Sequence, residues 1–375
     1  FLAPTGKAAV RLAEQVQRPA RTIHSAIYGA AEENERVKGT RRENLKFGEP
    51  RCPEEVGPGT LVVVDEASMV NTSLANDVRN QILASGGSLL WVGDHEQLPP
   101  VEGGWGVPLH NPTARLTVVH RQALESPVLE LATLIREGRG GSFKRWGGEA
   151  SVQPITAVKE AVDWAEGKAD DRILLTWTNA VRTKANRLTR EARSLPRKQI
   201  VVGERLICTF NNHGLGFMNG ETFTVESVED CVSLTTALGQ RVTWVKFHGK
   251  AHRVLMAPET FDTYHPYRSD RQLFRDVWGP LFSREGAAAL MQTNGWTVET
   301  LRQWRSAVSD FSLMGTWAYC ITVHKAQGSQ YPEVGFVSCP KLRSMDDGDF
   351  RRRLSYTAVT RAQVRFRAFT LTVPE

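Results

Sequence analysis

Two short continuous apolar runs, Leu61-Val62-Val63-Val64 and Leu89-Leu90-Trp91-Val92, each break off at acidic or glycine residues. Runs of this length without polar alternation suit strands buried on both faces of a parallel sheet, whose connections are helical crossovers. An α/β fold is therefore expected. Both runs hand their polar residues to the carboxyl edge of that sheet, where open α/β folds bind ligands.

The chain has 375 residues, room for two α/β lobes plus an insertion at roughly 100–200 residues per domain. Hydrophobic residues make up 41% and charged residues 23%, a balance that excludes disordered and fibrous classes. No apolar run approaches the roughly 18 residues of a membrane span, and the first residues lack the basic-then-apolar pattern of a signal peptide. A soluble cytoplasmic protein without a membrane partner is expected. Cys52, Cys208, Cys231, Cys320 and Cys339 form no Cys-x-x-Cys pair, so they are expected to pack rather than to bind zinc or form disulfides. His248 and His252 are four apart but lack a third ligand. A net charge of +6 favours a polyanionic partner without naming one.

Along the chain, 30–59 is polar and aperiodic and reads as a surface insertion whose one deep aromatic is Phe47. Ser126-Pro127 followed by Val128, Leu129, Leu131, Ala132, Leu134 and Ile135 predicts a capped amphipathic helix stopped by Gly138. Ile173-Leu174-Leu175 opens a new strand, followed by a basic helix with Arg182, Lys184, Arg187 and Arg190. From about 201 to 256 short alternating strands with turns at Asn211-Asn212 and Asn219-Gly220 predict a small β-barrel. A charged and aromatic stretch, 258–309, precedes the last sheet elements.

The chemistry concentrates at strand ends. Val64-Asp65-Glu66-Ala67-Ser68 offers one carboxylate for Mg²⁺ and another to orient an attacking water, as nucleoside triphosphate hydrolysis requires. An Asp-Glu pair there also suits a helix N-cap. At Gly93-Asp94-His95-Glu96-Gln97-Leu98-Pro99-Pro100-Val101 a carboxylate and an amide precede a stiff Pro-Pro segment, so Gln97 can bond a γ-phosphate and report its loss. Arg121, in Val119-His120-Arg121-Gln122, and Arg361, in Thr357-Ala358-Val359-Thr360-Arg361, are candidate arginine fingers.

Together these strings resemble the superfamily 1B DNA helicases of the RecD-like and Dda-like branch. Ala3-Pro4-Thr5-Gly6-Lys7-Ala8-Ala9 resembles motif Ia, and Ala20-Arg21-Thr22-Ile23-His24 the Thr-x-His element after it. Val64 to Ser68 resembles motif II, Gly93 to Val101 motif III and Val119 to Gln122 motif IV. Ile321-Thr322-Val323-His324-Lys325-Ala326-Gln327-Gly328 resembles motif V, and Tyr356 to Ala362 motif VI.

The resemblance implies two RecA-like P-loop NTPase lobes, each a parallel sheet with flanking helices: 1–140, with a strand-separating pin at 30–59, and 171–375, joined through 141–170. The second carries an SH3-like β insertion at 201–256 and a further one at 258–309. It implies ATP with Mg²⁺ on Asp65, and Asp65, Gly93, Asp94, Gln327 and Gly328 toward the nucleotide. Glu66, Gln97, Arg121 and Arg361 would be catalytic. Pro4, Thr5, Lys7, Thr22, His24, Thr322, His324 and Lys325 would hold single-stranded DNA through its phosphates. The implied protein is a monomeric motor moving 5′→3′ on single-stranded and fork DNA in a bacterial or phage-infected cell, alongside replication or recombination proteins. Gln330 departs from the family's usual glutamate after motif V.

A phosphate-binding loop, Gly-x-x-x-x-Gly-Lys-[Ser/Thr], is missing: Gly6-Lys7 has Phe1 at the first glycine position and Ala8 at the hydroxyl. Gly167-Lys168 and Gly249-Lys250 are each followed by alanine. The expectation is a chain cut just after its nucleotide-binding helix, lacking a central strand and a covering helix, and hydrolysing ATP poorly alone. Alternatives are an ATPase-dead clamp on single-stranded nucleic acid, or the motor segment of an exonuclease V α subunit or relaxase-helicase.

Overall fold

The structure, a computed structural model, describes residues 1–28, 49–116, 126–139, 150–155, 161–164, 172–196, 199–208, 220–233, 241–247, 250–256, 279–311 and 315–371. Arg121, Phe47, His248 and most of the expected pin lie outside them. The described residues divide into two compact units, one drawn from Phe1–Glu32, Leu45–Thr178 and Ile321–Glu375, the other from Asn179–Cys320. Among them no helix is long and apolar enough to cross a membrane.

The first unit opens with β1 (Leu2–Ala3), α1 (Gly6–Val16), β2 (Arg21–Thr22), α2 (Ile23–Ile27), β3 (Leu61–Val64), α3 (Thr72–Ala84) and β4 (Ser88–Trp91). The strands run parallel in the order β2-β1-β3-β4. One face of this sheet is closed: Val62 and Val64 pack with Ile23, Ile27, Val78 and Ile82. Burial of side chains this size stabilises by about 1.5–3 kcal/mol each. On the opposite face α1 covers Ala3 through Ala8, Ala9 and Leu12, while Leu61, Leu90 and Val92 remain 58%, 47% and 39% exposed.

The chain continues through α4 (Pro127–Arg136), β5 (Ala150–Ile155) and β6 (Arg172–Thr176) into the second unit. There α5 (Asn179–Ala192) precedes β7 (Arg205–Cys208), β8 (Thr222–Ser233), β9 (Arg241–Phe247) and β10 (Lys250–Met256), then α6 (Arg284–Asn294), α7 (Val298–Phe311) and β11 (Gly315–Trp317). The strands form one antiparallel sheet in the order β10-β9-β8-β7-β11. β11 comes from beyond the expected 201–256, and among the described residues no pairing closes the sheet into a barrel. The expected basic helix, α5, turns part of its basic face inward: Arg182 and Arg190 are 8% and 3% exposed. Arg190 donates to Glu204, Nε to Oε1 at 2.6 Å, with its guanidinium 4.0 Å from the Trp317 ring.

The first unit resumes with β12 (Cys320–Thr322), α8 (Val323–Ala326), β13 (Tyr331–Ser338), α9 (Pro340–Arg343), α10 (Gly348–Val359) and β14 (Ala362–Leu371). The second sheet has the order β12-β6-β13-β14-β5, with β6, β13, β14 and β5 parallel. Two boundaries differ from expectation. Residues 150–155, placed in a connecting region, form the edge strand beside β14. α4, expected in the first lobe up to residue 140, packs on α10, β14 and β5 and so belongs with the second sheet. Its N-cap Ser126 makes no side-chain cap bond. Proline at N1 supplies the start without one.

Candidate nucleotide and nucleic-acid site

β3 delivers Asp65 and Glu66 to the carboxyl edge of the first sheet. The Asp65 backbone N–H donates to Leu2 O at 3.0 Å, and its Oδ1 accepts the Glu66 N–H at 2.8 Å. Glu66 stands at φ 52°, ψ 39°, a left-handed conformation that costs a side-chain-bearing residue about 1–2 kcal/mol. Strain of this kind persists where a specific side chain is needed at that spot. The capping alternative does not describe this turn, because Glu66 makes no side-chain cap bond. It is Asn71 whose Oδ1 caps α3, accepting the Leu74 N–H at 3.0 Å.

The turn after Glu66 is clamped to the end of β4. Ala67 N–H donates to Val92 O at 2.9 Å, and a Cβ on Gly93 would lie 3.0 Å from Ala67 N and 3.1 Å from Ser68 N. Gly93, expected beside the nucleotide, thus also has a packing role: a hydrogen there lets the two loops meet without displacement. Ser68 is fully buried, and its Oγ has no hydrogen-bond partner.

The next loop docks on α10. Asp94 Oδ1 accepts the Glu96 N–H at 3.0 Å, and Oδ2 accepts the Tyr356 hydroxyl at 2.7 Å. Burial, then the Asp94 charge, pushes the Tyr356 phenol pKa well above its usual value. Arg352 bonds Glu96, whose other oxygen lies 2.7 Å from His95 Nε2. Gln97 is 8% exposed, and its Oε1 is buried without a partner. Leu98 N–H donates to Thr357 Oγ1 at 3.1 Å, and Gln327 Nε2 reaches Leu98 O at 3.5 Å.

Arg361, just past α10, is 3% exposed. Nε donates to Thr357 O at 3.2 Å, Nη1 to Ser329 O at 3.2 Å and Nη2 to Thr360 Oγ1 at 3.1 Å. Ser329 Oγ is a third buried oxygen without a partner. Gly328, at φ +71°, would place a Cβ 3.2 Å from Ala8 Cβ, and Lys7 Nζ lies 5.5 Å from the centre of the Tyr331 ring. The structure thus brings Gly328, expected toward nucleotide, against the helix of Lys7, expected on DNA.

Three of the expected DNA contacts share one local design. Thr5, Thr22 and Thr322 are the N-caps of α1, α2 and α8, accepting the N–H of Ala8, Ser25 and Lys325 at 3.2, 3.1 and 3.4 Å. Each cap follows a strand end, at β1, β2 and β12, and leaves its own O–H to donate. Pro4 and Thr5 supply the turn into α1. His24 and His324 stack on Tyr28 and Phe350. Burial lowers both imidazole pKa values, so at neutral pH they offer a neutral N–H rather than a cation.

The motif strings already contained Ser68, Glu96, Tyr356 and Thr357, but nothing local marked their roles. The partners of Glu96, Tyr356 and Thr357 lie hundreds of positions away, as with Leu98 and Thr357. Arg352 and Ser329 carried no motif signal at all.

The family described as an AAA domain matches residues 1–155, and that described as a UvrD-like helicase C-terminal domain matches 317–366. The chain is 27% identical to the ATP-dependent RecD2 DNA helicase of Deinococcus radiodurans, over 97% of this chain and 42% of that protein. It is 26% identical to the RecBCD enzyme subunit RecD of Mycobacterium tuberculosis, over 97% of this chain and 59% of that protein. The chain therefore spans about half the length of these curated relatives. Among solved structures, the Pif1 helicase from Candida albicans aligns with 99% of this chain and 83% of that chain at TM-score 0.48 and 15% identity.

Proposed function

We propose that this chain, a relative of the RecD-like superfamily 1B helicases, forms part of an ATP-dependent DNA helicase that translocates 5′→3′ on single-stranded DNA. The observation that carries the proposal is one connected set within one unit: the strained Glu66 turn, the Gln97 loop and Arg361. Ser68 Oγ, Gln97 Oε1 and Ser329 Oγ lie buried without partners among the described residues. A buried polar atom left unpaired costs about 1–3 kcal/mol; phosphate oxygens could accept from the two serine hydroxyls, and a metal-bound water could donate to Gln97 Oε1. The residues therefore fit a nucleotide with its metal.

Asp65 would hold Mg²⁺, which would supply charge neutralisation to the phosphates. Glu66 would orient the attacking water. Arg361 would stabilise charge on the transferring group through Nη1 after releasing Ser329 O, joined by Arg121. Gln97 would bond the γ-phosphate, with Asp94 holding its loop rather than the nucleotide. Single-stranded DNA would lie over the threonine-capped helix starts with Pro4, Lys7, His24, His324 and Lys325, bound through phosphates without reading sequence. A forked duplex and replication or recombination proteins are the expected partners, and the cytoplasm of a bacterial or phage-infected cell the expected place of action.

The phosphate-binding loop is not in these 375 residues. A strand–loop–helix supplying it would fit the first sheet, where β4 is an edge among the described residues and Leu61, Leu90 and Val92 stand exposed on one face. A second reading is a clamp on single-stranded nucleic acid that does not hydrolyse ATP.

The test is single-stranded-DNA-stimulated ATPase of the full-length protein and its Glu66→Gln variant. Orders-of-magnitude loss of turnover with nucleotide binding kept supports the assignment. Turnover near the wild-type rate removes Glu66 from its role, and a wild type that binds DNA without hydrolysis favours the clamp.

A further inference from the structure

Thr357 has no exposed surface and touches two groups that the proposed hydrolysis needs. Its side chain serves the Gln97 loop: Oγ1 accepts the N–H of Leu98, the residue after Gln97, at 3.1 Å. Its carbonyl serves the arginine, accepting Arg361 Nε at 3.2 Å. A continuous path of one covalent link and two hydrogen bonds therefore runs from Gln97 to Arg361 through one residue.

Other contacts make that path stiff. Leu98 is fully buried, so its N–H has no water to turn to if Thr357 lets go. Upstream, Asp94 and Glu96 are fastened to Tyr356 and Arg352, which stand four apart on one face of α10. The loop from 94 to 98 is thus fixed along a helix that ends two residues before Arg361. Arg361 is steadied a second time by Ser329 O at 3.2 Å.

We propose that Thr357 is a positioning residue that holds the Gln97 amide and the Arg361 guanidinium at one fixed separation, so that both meet the γ-phosphate as a unit. The proposal rests on the motor assignment above. Thr357 itself does not touch the nucleotide. It acts through Gln97 on one side and Arg361 on the other, and its chemistry is specific. Serine keeps the hydroxyl, whereas valine keeps the shape and the carbonyl but deletes the acceptor for Leu98.

The experiment is steady-state ATPase of the full-length protein with saturating single-stranded DNA, comparing wild type, Thr357→Val, Thr357→Ser, Gln97→Ala and the Thr357→Val/Gln97→Ala double variant. Thr357→Val is expected to lower kcat about tenfold or more with KM for ATP changed less than about twofold, because misplacing a group acts on the reacting geometry. Thr357→Ser should restore most of the loss. The double variant should match Gln97→Ala alone, since a residue acting through Gln97 adds nothing once Gln97 is gone. Single-stranded DNA affinity and melting temperature, measured in parallel, should separate a misplaced loop from a misfolded one. Wild-type kcat in Thr357→Val, no rescue by serine, or independent multiplication of the two losses overturns the proposal while hydrolysis by the wild type upholds the motor. A wild type without hydrolysis overturns both.

Discussion

Replacing Glu204 by alanine should destabilise the second unit far more than a surface ion pair would. Glu204 is 1% exposed and Arg190 3%. The carboxylate accepts Arg190 Nε at 2.6 Å and Nη2 at 3.3 Å, the Val201 N–H at 2.9 Å and the Tyr319 hydroxyl at 3.4 Å. Its loss leaves a buried guanidinium whose partners among the described residues include Pro196 O at 2.8 Å, Gln199 O and the Trp317 ring. Breaking a buried pair on one side costs about 3–5 kcal/mol. The remaining carbonyls and the ring keep the cost near the lower bound, about 3 kcal/mol. At roughly 2–4 °C per kcal/mol for a domain of 150–250 residues, the melting temperature should fall by about 6–12 °C. Differential scanning calorimetry of wild type and Glu204→Ala reads this directly. The gap should persist at about 1 M salt, where an exposed pair is screened away. A fall under about 1 °C, or one that vanishes in salt, would refute the burial reasoning.

Two further outcomes follow from the same geometry. Gly93→Ala should cost about 1–2 kcal/mol in a denaturant titration, because its Cβ would push the Ala67–Ser68 backbone aside by a few tenths of an ångström, and should lower kcat more than stability by moving the Glu66 turn; unchanged kcat would separate Gly93 from the site. The Tyr319 phenol is raised from 10.0 to about 12 by burial first and the Glu204 charge second. Folding therefore favours its neutral form, and that share of stability, intact below pH 10, is lost as pH climbs toward 12. Phenolate absorbance should show its midpoint falling in Glu204→Ala, and an unmoved midpoint would deny the contact.

The central strands were legible because a run such as Leu61–Val64 has no polar residue to argue otherwise. Glu66 and Gln97 were legible as candidates because the chemistry admits few residue types at a strand end. What escaped reading was polar burial. α5 looks like a solvated basic helix, yet it buries Arg182, Asn186, Thr189 and Arg190. Asn186 Nδ2 donates to Trp317 O and Cys320 O at 2.9 and 3.0 Å. Burial of such side chains is allowed only by partners distant in sequence, and no local periodicity reports them. The lobe boundary failed for a similar reason: α4 has the apolar stripe of any core helix, which does not say which sheet it will cover.

The uncovered face of the first sheet carries the last argument. β4 was read as a central strand from its unbroken apolar run, yet among the described residues it is an edge. Its Leu90 and Val92 are 47% and 39% exposed, beside Leu61 at 58%. Parallel sheets occur with both faces covered, so in the proposed motor an element carrying a phosphate-binding loop would pack on these side chains. Leu90→Lys distinguishes the two situations. In this chain lysine would meet water and should change stability by no more than about 0.5 kcal/mol, as surface substitutions do. In a longer form of the protein that carries a phosphate-binding loop, the same lysine would sit under the covering helix. A buried unpaired charge is strongly destabilising, so stability should fall by several kcal/mol, roughly, with loss of ATPase. Equal tolerance in both would show that the face stays open in the working protein and that the loop is supplied elsewhere or not at all.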